Sequence, residues 1–316
     1  MSEIDLFETN RDQRRARANY RLIVGAFLLV LAAGIGIFFV FRFADTERER
    51  DLQNWQAHLA VVVESRLEAS SGWLEAQFHH VEELADNTAL KLYMTELTLA
   101  DGDIGDITDE PAQRTYLRNL IVATAERAGF TGPMLGAEVN ANVARSGVAG
   151  VSLIDKQGRT LVSTRGMPFT EALRDQLLDA APTGRHMIDI FSGPGGDATL
   201  GFVLPVYMLQ MENDPSALIG YIVAIKRAAP ELYNTLRQPG NTLETAEALL
   251  VRPAASAVEY LSPRRDDMAP LTGGMPSETP MLAAAFAINS PGGFGEYQDY
   301  AGNQVLAVSR AVPGTN

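Results

Sequence analysis

The chain has 316 residues, with 26 Lys and Arg against 39 Asp and Glu, a formal net charge of −13 and no cysteine. The acidic balance argues against nucleic acid as a partner, which calls for basic patches. The missing cysteine excludes disulfides, thiolate metal sites and cysteine nucleophiles. Hydrophobic residues make up 46% of the chain, which suits a packed core rather than global disorder.

Residues 1–21 are polar and of mixed charge, and read as a short cytoplasmic tail. Leu22–Phe41, LIVGAFLLVLAAGIGIFFVF, runs for twenty residues without a charge, an amide or a proline. As a helix at ~1.5 Å per residue it reaches ~30 Å, the thickness of a bilayer core. In lipid such a helix needs no apolar cover, because it satisfies its own backbone. Arg11, Arg14, Arg15, Arg17 and Arg21 precede the run and Arg42 closes it. That bias holds the leading end in the cytoplasm and places residues 44–316 outside, in a bacterial periplasm. A cleaved signal peptide would carry an apolar run of only about 7–15 residues.

From Ala44 to Leu99 there is no proline, and Gly72 is the only glycine. Leu52, Trp55, Leu59, Val63, Leu67, Leu74, Phe78, Val81 and Ala85 recur mostly at steps of three or four, the helical period. The pattern predicts a long amphipathic helix leaving the membrane, kinked near Ser70-Ser71-Gly72. Arg66 and His80 interrupt the heptad, which favours a helix docked on its own domain over a pure coiled coil; a homodimer through the long helix is expected as well. Residues 101–115 break the helix, and Pro111 starts another that runs to about Arg127. Thr131–Ser146, rich in glycine and asparagine, reads as a loop closing the helical segment 44–147.

At Val148 the period changes. Val148–Ile154 and Thr160–Ser163 form a hairpin around Asp155-Lys156-Gln157-Gly158. A helix at Thr170–Asp179 follows. The runs HMIDIF, TLGFVLPVY and GYIVAIKR then read as strands, with Pro205 marking an edge or a bulge. A short helix spans Ala229–Gln238, and Pro239-Gly240 marks a boundary between segments 148–240 and 241–316. After it the theme repeats: a hairpin in ETAEALLVRPAASAVEYLSP, a helix at Glu278–Ile288, and a hairpin turning at Ala301-Gly302-Asn303.

This order resembles the double Cache extracytoplasmic sensor domain of bacterial transmembrane receptors. An anchor and a long membrane-exiting helix come first, then two PAS-like modules, with phrases such as SLIDKQGRTLVST, GFVLPVY and DYAGNQVLAVSRAVPGTN. The resemblance implies an α+β fold in which each module carries an antiparallel sheet. Segment 148–240 is then membrane-distal and 241–316 membrane-proximal, the latter incomplete because it lacks a central last strand. The implied function is ligand sensing as the input part of a sensor histidine kinase, with diguanylate cyclase and chemoreceptor as alternatives. The family's amino-acid signature, Arg-x-Trp-Tyr, is absent: the corresponding region, RAGFTGPMLGAEVNANVARSGVAG, has no tryptophan.

Other chemistry finds little support. Gly195-Gly196-Asp197 reads as a turn. His79-His80 lacks the spacing of a helical metal site, and no serine stands in a nucleophile elbow. An anchored enzyme and a scaffold remain readings of another class, and no cofactor is expected. A ligand pocket is expected between the strands of segment 148–240 and the loop Thr131–Ser146. Its expected contacts are Arg185, Asp189, Phe202, Tyr207 and Tyr221, with Arg118 or Asn119 from the preceding helix.

Overall fold

The computed structural model describes residues 3–100, 111–136, 145–209, 214–237 and 245–315. The chain divides into two compact units, Met1–Leu59 and Ala60–Asn316. The first unit is the leading part of helix α1 (Glu3–Ala85). Leu29 and residues 31–50 are exposed there, including Phe38 (61%) and Phe43 (70%). Among the described residues, no helix is long and apolar enough to cross a membrane. The expected span, Leu22–Phe41, falls partly outside them, since the side chains of residues 22–28 and of Val30 are not described.

The second unit holds the remaining elements. Helix α1 runs without a break through Ser70-Ser71-Gly72, where a kink was expected. Packing overrides the local signal: Ser70 is buried and bonded to Thr235 at 2.8 Å, and Trp73, Leu74 and Phe78 dock on the core just beyond. The helix ends instead at Ala85. Asn87 Oδ1 accepts from the Leu90 amide at 3.0 Å and caps α2 (Thr88–Ala100). Helix α3 (Ala112–Ala128) starts after Pro111, as the proline predicts. It ends at Gly129, whose left-handed φ of 73° closes the last turn.

Five antiparallel strands follow: β1 (Gly150–Asp155), β2 (Thr160–Ser163), β3 (His186–Ser192), β4 (Ala198–Tyr207) and β5 (Leu218–Arg227), in the order β2-β1-β5-β4-β3. The β1–β2 turn is held by the buried carboxylate of Asp155, which accepts from the amides of Gln157 (2.9 Å) and Arg159 (2.8 Å) and from Arg159 Nε (2.6 Å). Helix α4 (Glu171–Ala180), capped by Thr170, connects the two hairpins. Pro205 lies inside β4, yet β3 pairs with that strand only up to Val203. At Pro205 the strand is locally an edge, and the register slips between Val206 and Tyr207, so the missing N–H costs no ladder bond.

Helix α5 (Glu231–Leu236) leads into the C-terminal segment. It contains β6 (Val251–Ala254), β7 (Ala257–Tyr260), β8 (Met275–Pro276), α6 (Ala283–Asn289), β9 (Phe294–Gln298) and β10 (Gln304–Val308). The expectation of one antiparallel sheet here is corrected: β6-β7-β8 form one sheet and β9-β10 another. The C-terminal segment thus repeats hairpin, helix, hairpin, without a strand joining its two sheets among the described residues.

Candidate functional site

Alternation along β4 and β5 sends successive side chains to opposite faces of the five-stranded sheet. Leu200, Phe202, Leu204, Ile222 and Ala224 face α1, α2 and α3. Phe202 is fully buried there, edge-on to Phe78 (5.0 Å), Phe130 (6.0 Å) and Trp73 (6.3 Å). Val203, Tyr221, Val223 and Ile225 face the other way, under α4 and Met167, Phe169 and Leu173.

The expected site residues do not converge. Phe202 belongs to the aromatic cluster on the α1 face. Arg185 lies at the start of β3 and is turned onto α1: it bonds both carboxylate oxygens of Glu75 at 2.8 Å, bonds Glu82, and stacks over Phe78 at 5.5 Å. The bonds to Glu82 and Glu75 hold its guanidinium well above its ordinary pKa. Asp189, at the irregularity in β3, accepts from its neighbour Ile190 N (2.7 Å) and from Arg252 Nη1 (2.9 Å). Arg118 and Asn119 lie on the exposed face of α3.

Tyr207 and Tyr221 do come together, away from α1. Tyr221 is 3% exposed, and burial, then the proximity of Tyr207, raises its pKa. Tyr207 donates its hydroxyl to Thr183 O at 3.1 Å. Of the expected lid, residues 137–144 lie outside the described residues. Its two ends are tied: Met134 bridges Gly147, and Arg145 donates to the carbonyls of Met134, Leu135 and Gly136.

Two cations missing from the sequence expectation hold the unit together. Arg252 on β6 bonds Asp189, Ile190 O (2.7 Å) and Glu259, joining β3 to the C-terminal segment. Burial works against its charge, but the bonds to Asp189 and Glu259 outweigh it and raise its pKa. Lys226 on β5 is buried and reaches Glu231 (2.7 Å), Gln77 Oε1 (3.2 Å) and Ala128 O (3.2 Å). Trp73 Nε1 donates to the same Glu231 at 3.2 Å, so one cation ties α1, α3, α5 and the sheet. Its signal was in the sequence: Lys226 is in phase with Ile222 and Ala224, the face that turns to α1. Arg252 sits opposite Glu259 within its own hairpin, but its bonds to Asp189 and Ile190 O on β3 carried no such signal, because they come from a different strand pair. Among the described residues, no group of three or more His, Asp or Glu could hold a metal ion.

No known family profile and no curated protein matches the sequence. Among solved structures, the chain is similar to the ligand-binding domain of the amino acid chemoreceptor PctC of Pseudomonas aeruginosa PAO1, in complex with GABA. The two are 17% identical with a TM-score of 0.42, over 77% of this chain and 88% of that one. It is also similar to an extracellular ligand-binding receptor from Desulfohalobium retbaense, 11% identical with a TM-score of 0.34, over 78% of this chain and 39% of that one. A third similarity is to an extracellular domain assigned to a histidine kinase, 13% identical with a TM-score of 0.23, over 53% of this chain and 59% of that one.

Proposed function

We propose that the chain is the input part of a bacterial membrane receptor of double Cache type. Leu22–Phe41 spans the inner membrane, the tail 1–21 is cytoplasmic, and residues 44–316 are periplasmic. Segment 148–240 is the membrane-distal module and binds a small organic molecule; segment 241–316 is the membrane-proximal one. Two copies associate along α1. The output in this reading is a histidine kinase, with a chemoreceptor or a diguanylate cyclase as alternatives.

The observation that carries the reading is a pairing of features. A helix whose described apolar side chains from Leu29 to Phe43 are exposed is followed, in the same chain, by a mixed helix and antiparallel-sheet unit. An apolar surface of that kind is stable only when covered, and lipid covers all sides of a helix at once. The ligand site in this reading is the face of the sheet carrying Tyr207 and Tyr221, on the side of α4. Apolar side chains surround Tyr221 there, and a mostly apolar wall with a few polar groups is the usual composition of a small-molecule site.

A periplasm-dependent reporter fused after Thr315 tests the topology, and activity in the cytoplasm overturns it. A thermal-shift screen of amino acids, amines and short carboxylates tests binding. A hit should raise the melting temperature of the wild type but not of Tyr207→Ala or Tyr221→Ala. Equal responses in all three proteins remove the ligand from this face.

A further inference from the structure

We propose that the free edge of β10 is a docking site for an extended polypeptide strand that is apolar on both faces. The bonds around the β9–β10 hairpin fix the direction of each backbone group on β10. Asp299 N donates to Asn303 O at 2.9 Å and Ser309 N donates to Gly293 O at 3.3 Å, so positions 303 and 309 bond across the hairpin. Bonded and non-bonded pairs alternate along an antiparallel ladder. Val305 and Ala307 therefore bond to β9, while Gln304, Leu306 and Val308 turn their N–H and C=O groups outward. Gln298 N, opposite Gln304, agrees in phase, since it donates away from β10 to Met281 O at 2.7 Å. Among the described residues β10 pairs with β9 alone, and the six outward groups have no partner. An edge of this kind is a ready template for another strand.

A second free edge lies under the same helix. Leu261 N donates to Leu250 O at 2.8 Å, which makes Val251 of β6 an outward position; Pro253, the next one, brings only a carbonyl. Helix α6 packs on both sheets. Phe286 stacks on Tyr297 of β9 at 4.0 Å, and Ala284 and Ala285 are buried with Val258 and Tyr260 of β7 beside the half-buried Val251. One helix thus covers two sheets that share no strand.

The five-stranded sheet shows what fits such an edge. There Leu177 of α4 packs with residues of β1, β4 and β5, and β5 pairs antiparallel with both β1 and β4. Ile219–Lys226 of β5 are buried along their whole length. Both segments run hairpin, helix, hairpin, so the occupant of the β10 edge has the chemistry of β5. Main-chain bonds to Gln304, Leu306 and Val308 would hold it, and its alternate side chains would give selectivity. The site lies apart from the tyrosine face and needs no ligand there.

The test is amide hydrogen exchange at residue resolution on the full chain in lipid nanodiscs, with and without a synthetic peptide copying Leu218–Arg227. At about ten times its Kd the peptide should slow exchange at Gln304, Leu306 and Val308 about tenfold, with Val305 and Ala307 little changed. Leu306→Pro removes one outward N–H and leaves the bonds to β9 in place, so the peptide should no longer protect Gln304 and Val308. Leu306→Lys keeps every backbone group, places a charge on the edge, and should weaken protection in the same direction. It guards against a hairpin disrupted by the proline. The proposal is overturned if the peptide leaves the three wild-type amides unchanged, or if it protects both variants as it does the wild type. It is also overturned if these amides are protected without peptide to an extent that rises with protein concentration, which would give the edge to a second copy of the chain.

Discussion

Truncating Phe202 discriminates most directly between a core residue and a ligand contact. Its ring is fully buried and touches the rings of Trp73, Phe78 and Phe130, which come from α1 and from the segment after α3. Phe→Ala at such a site costs about 3–5 kcal/mol in transfer and cavity terms. The edge-to-face pairs contribute to the upper part of that range, at ~0.5–1.5 kcal/mol each and not additively. At ~2–4 °C per kcal/mol for a unit of this size, Phe202→Ala should lower the melting temperature by roughly 6–20 °C, while Phe202→Leu should lose less than half as much. The chain has two tryptophans, so a Trp55→Phe background leaves Trp73, beside Phe202, as the reporter of unfolding by fluorescence. A melting temperature within about 3 °C of the parent, together with loss of ligand binding, would refute the core assignment and return Phe202 to the pocket.

Three further outcomes follow from the same coordinates. A Cβ at Gly220 would stand 2.0 Å from the Ile154 carbonyl oxygen across the β1–β5 ladder. Gly220→Ala should therefore cost about 3 kcal/mol, the upper end for overpacking; a urea midpoint equal to wild type would show that the strands separate freely. Asn87→Ala removes the α2 cap and should cost about 1 kcal/mol, read as a lower urea midpoint that Asn87→Asp restores. Burial, then the hydrogen bond to Glu247, pushes Tyr300 up to about 12 from 10.0. The folded state thus favours the neutral phenol: its contribution is complete below pH 10 and is lost as pH rises toward about 12. Alkaline titration followed at the phenolate absorbance should show this loss, and Tyr300→Phe should remove it; a wild type indifferent to pH across that window contradicts the assignment.

The elements that were legible in the sequence share one property: their signals are local. The 2.0-residue alternation of β4 and β5, the Asp155–Gly158 turn and Pro111 at the start of α3 each act within a few residues. The break at Asp86-Asn87 was missed because neither residue is a strong helix breaker, and the cap that makes it work is a single hydrogen bond. At Ser70-Ser71-Gly72 the helix continues for the opposite reason, since Ser70 and Trp73 find partners across the unit. Site residues suffered most. Arg185 and Asp189 were chosen as charges beside an apolar strand, and both are charges that the fold neutralises itself, with Glu75 and Glu82 in one case and Arg252 in the other. Their partners lie 63 or more positions away, a distance no pattern in one sequence encodes.

The two halves of the repeat differ in what completes them. In the five-stranded sheet, β5 comes last in sequence and sits in the middle, pairing with β1 on one side and β4 on the other. It is the strand that turns two hairpins into one sheet, and eight of its ten residues are buried. In the C-terminal segment the same two hairpins stand apart, and Val305, Leu306 and Val308 on β10 stay only half-buried. The buried cluster there is correspondingly small, built on Val258, Tyr260, Leu282, Ala284 and Ala285. Fewer buried apolar contacts mean a lower free energy of local opening. Among the described residues the C-terminal segment thus carries the smaller buried cluster, and Arg252 joins it to β3.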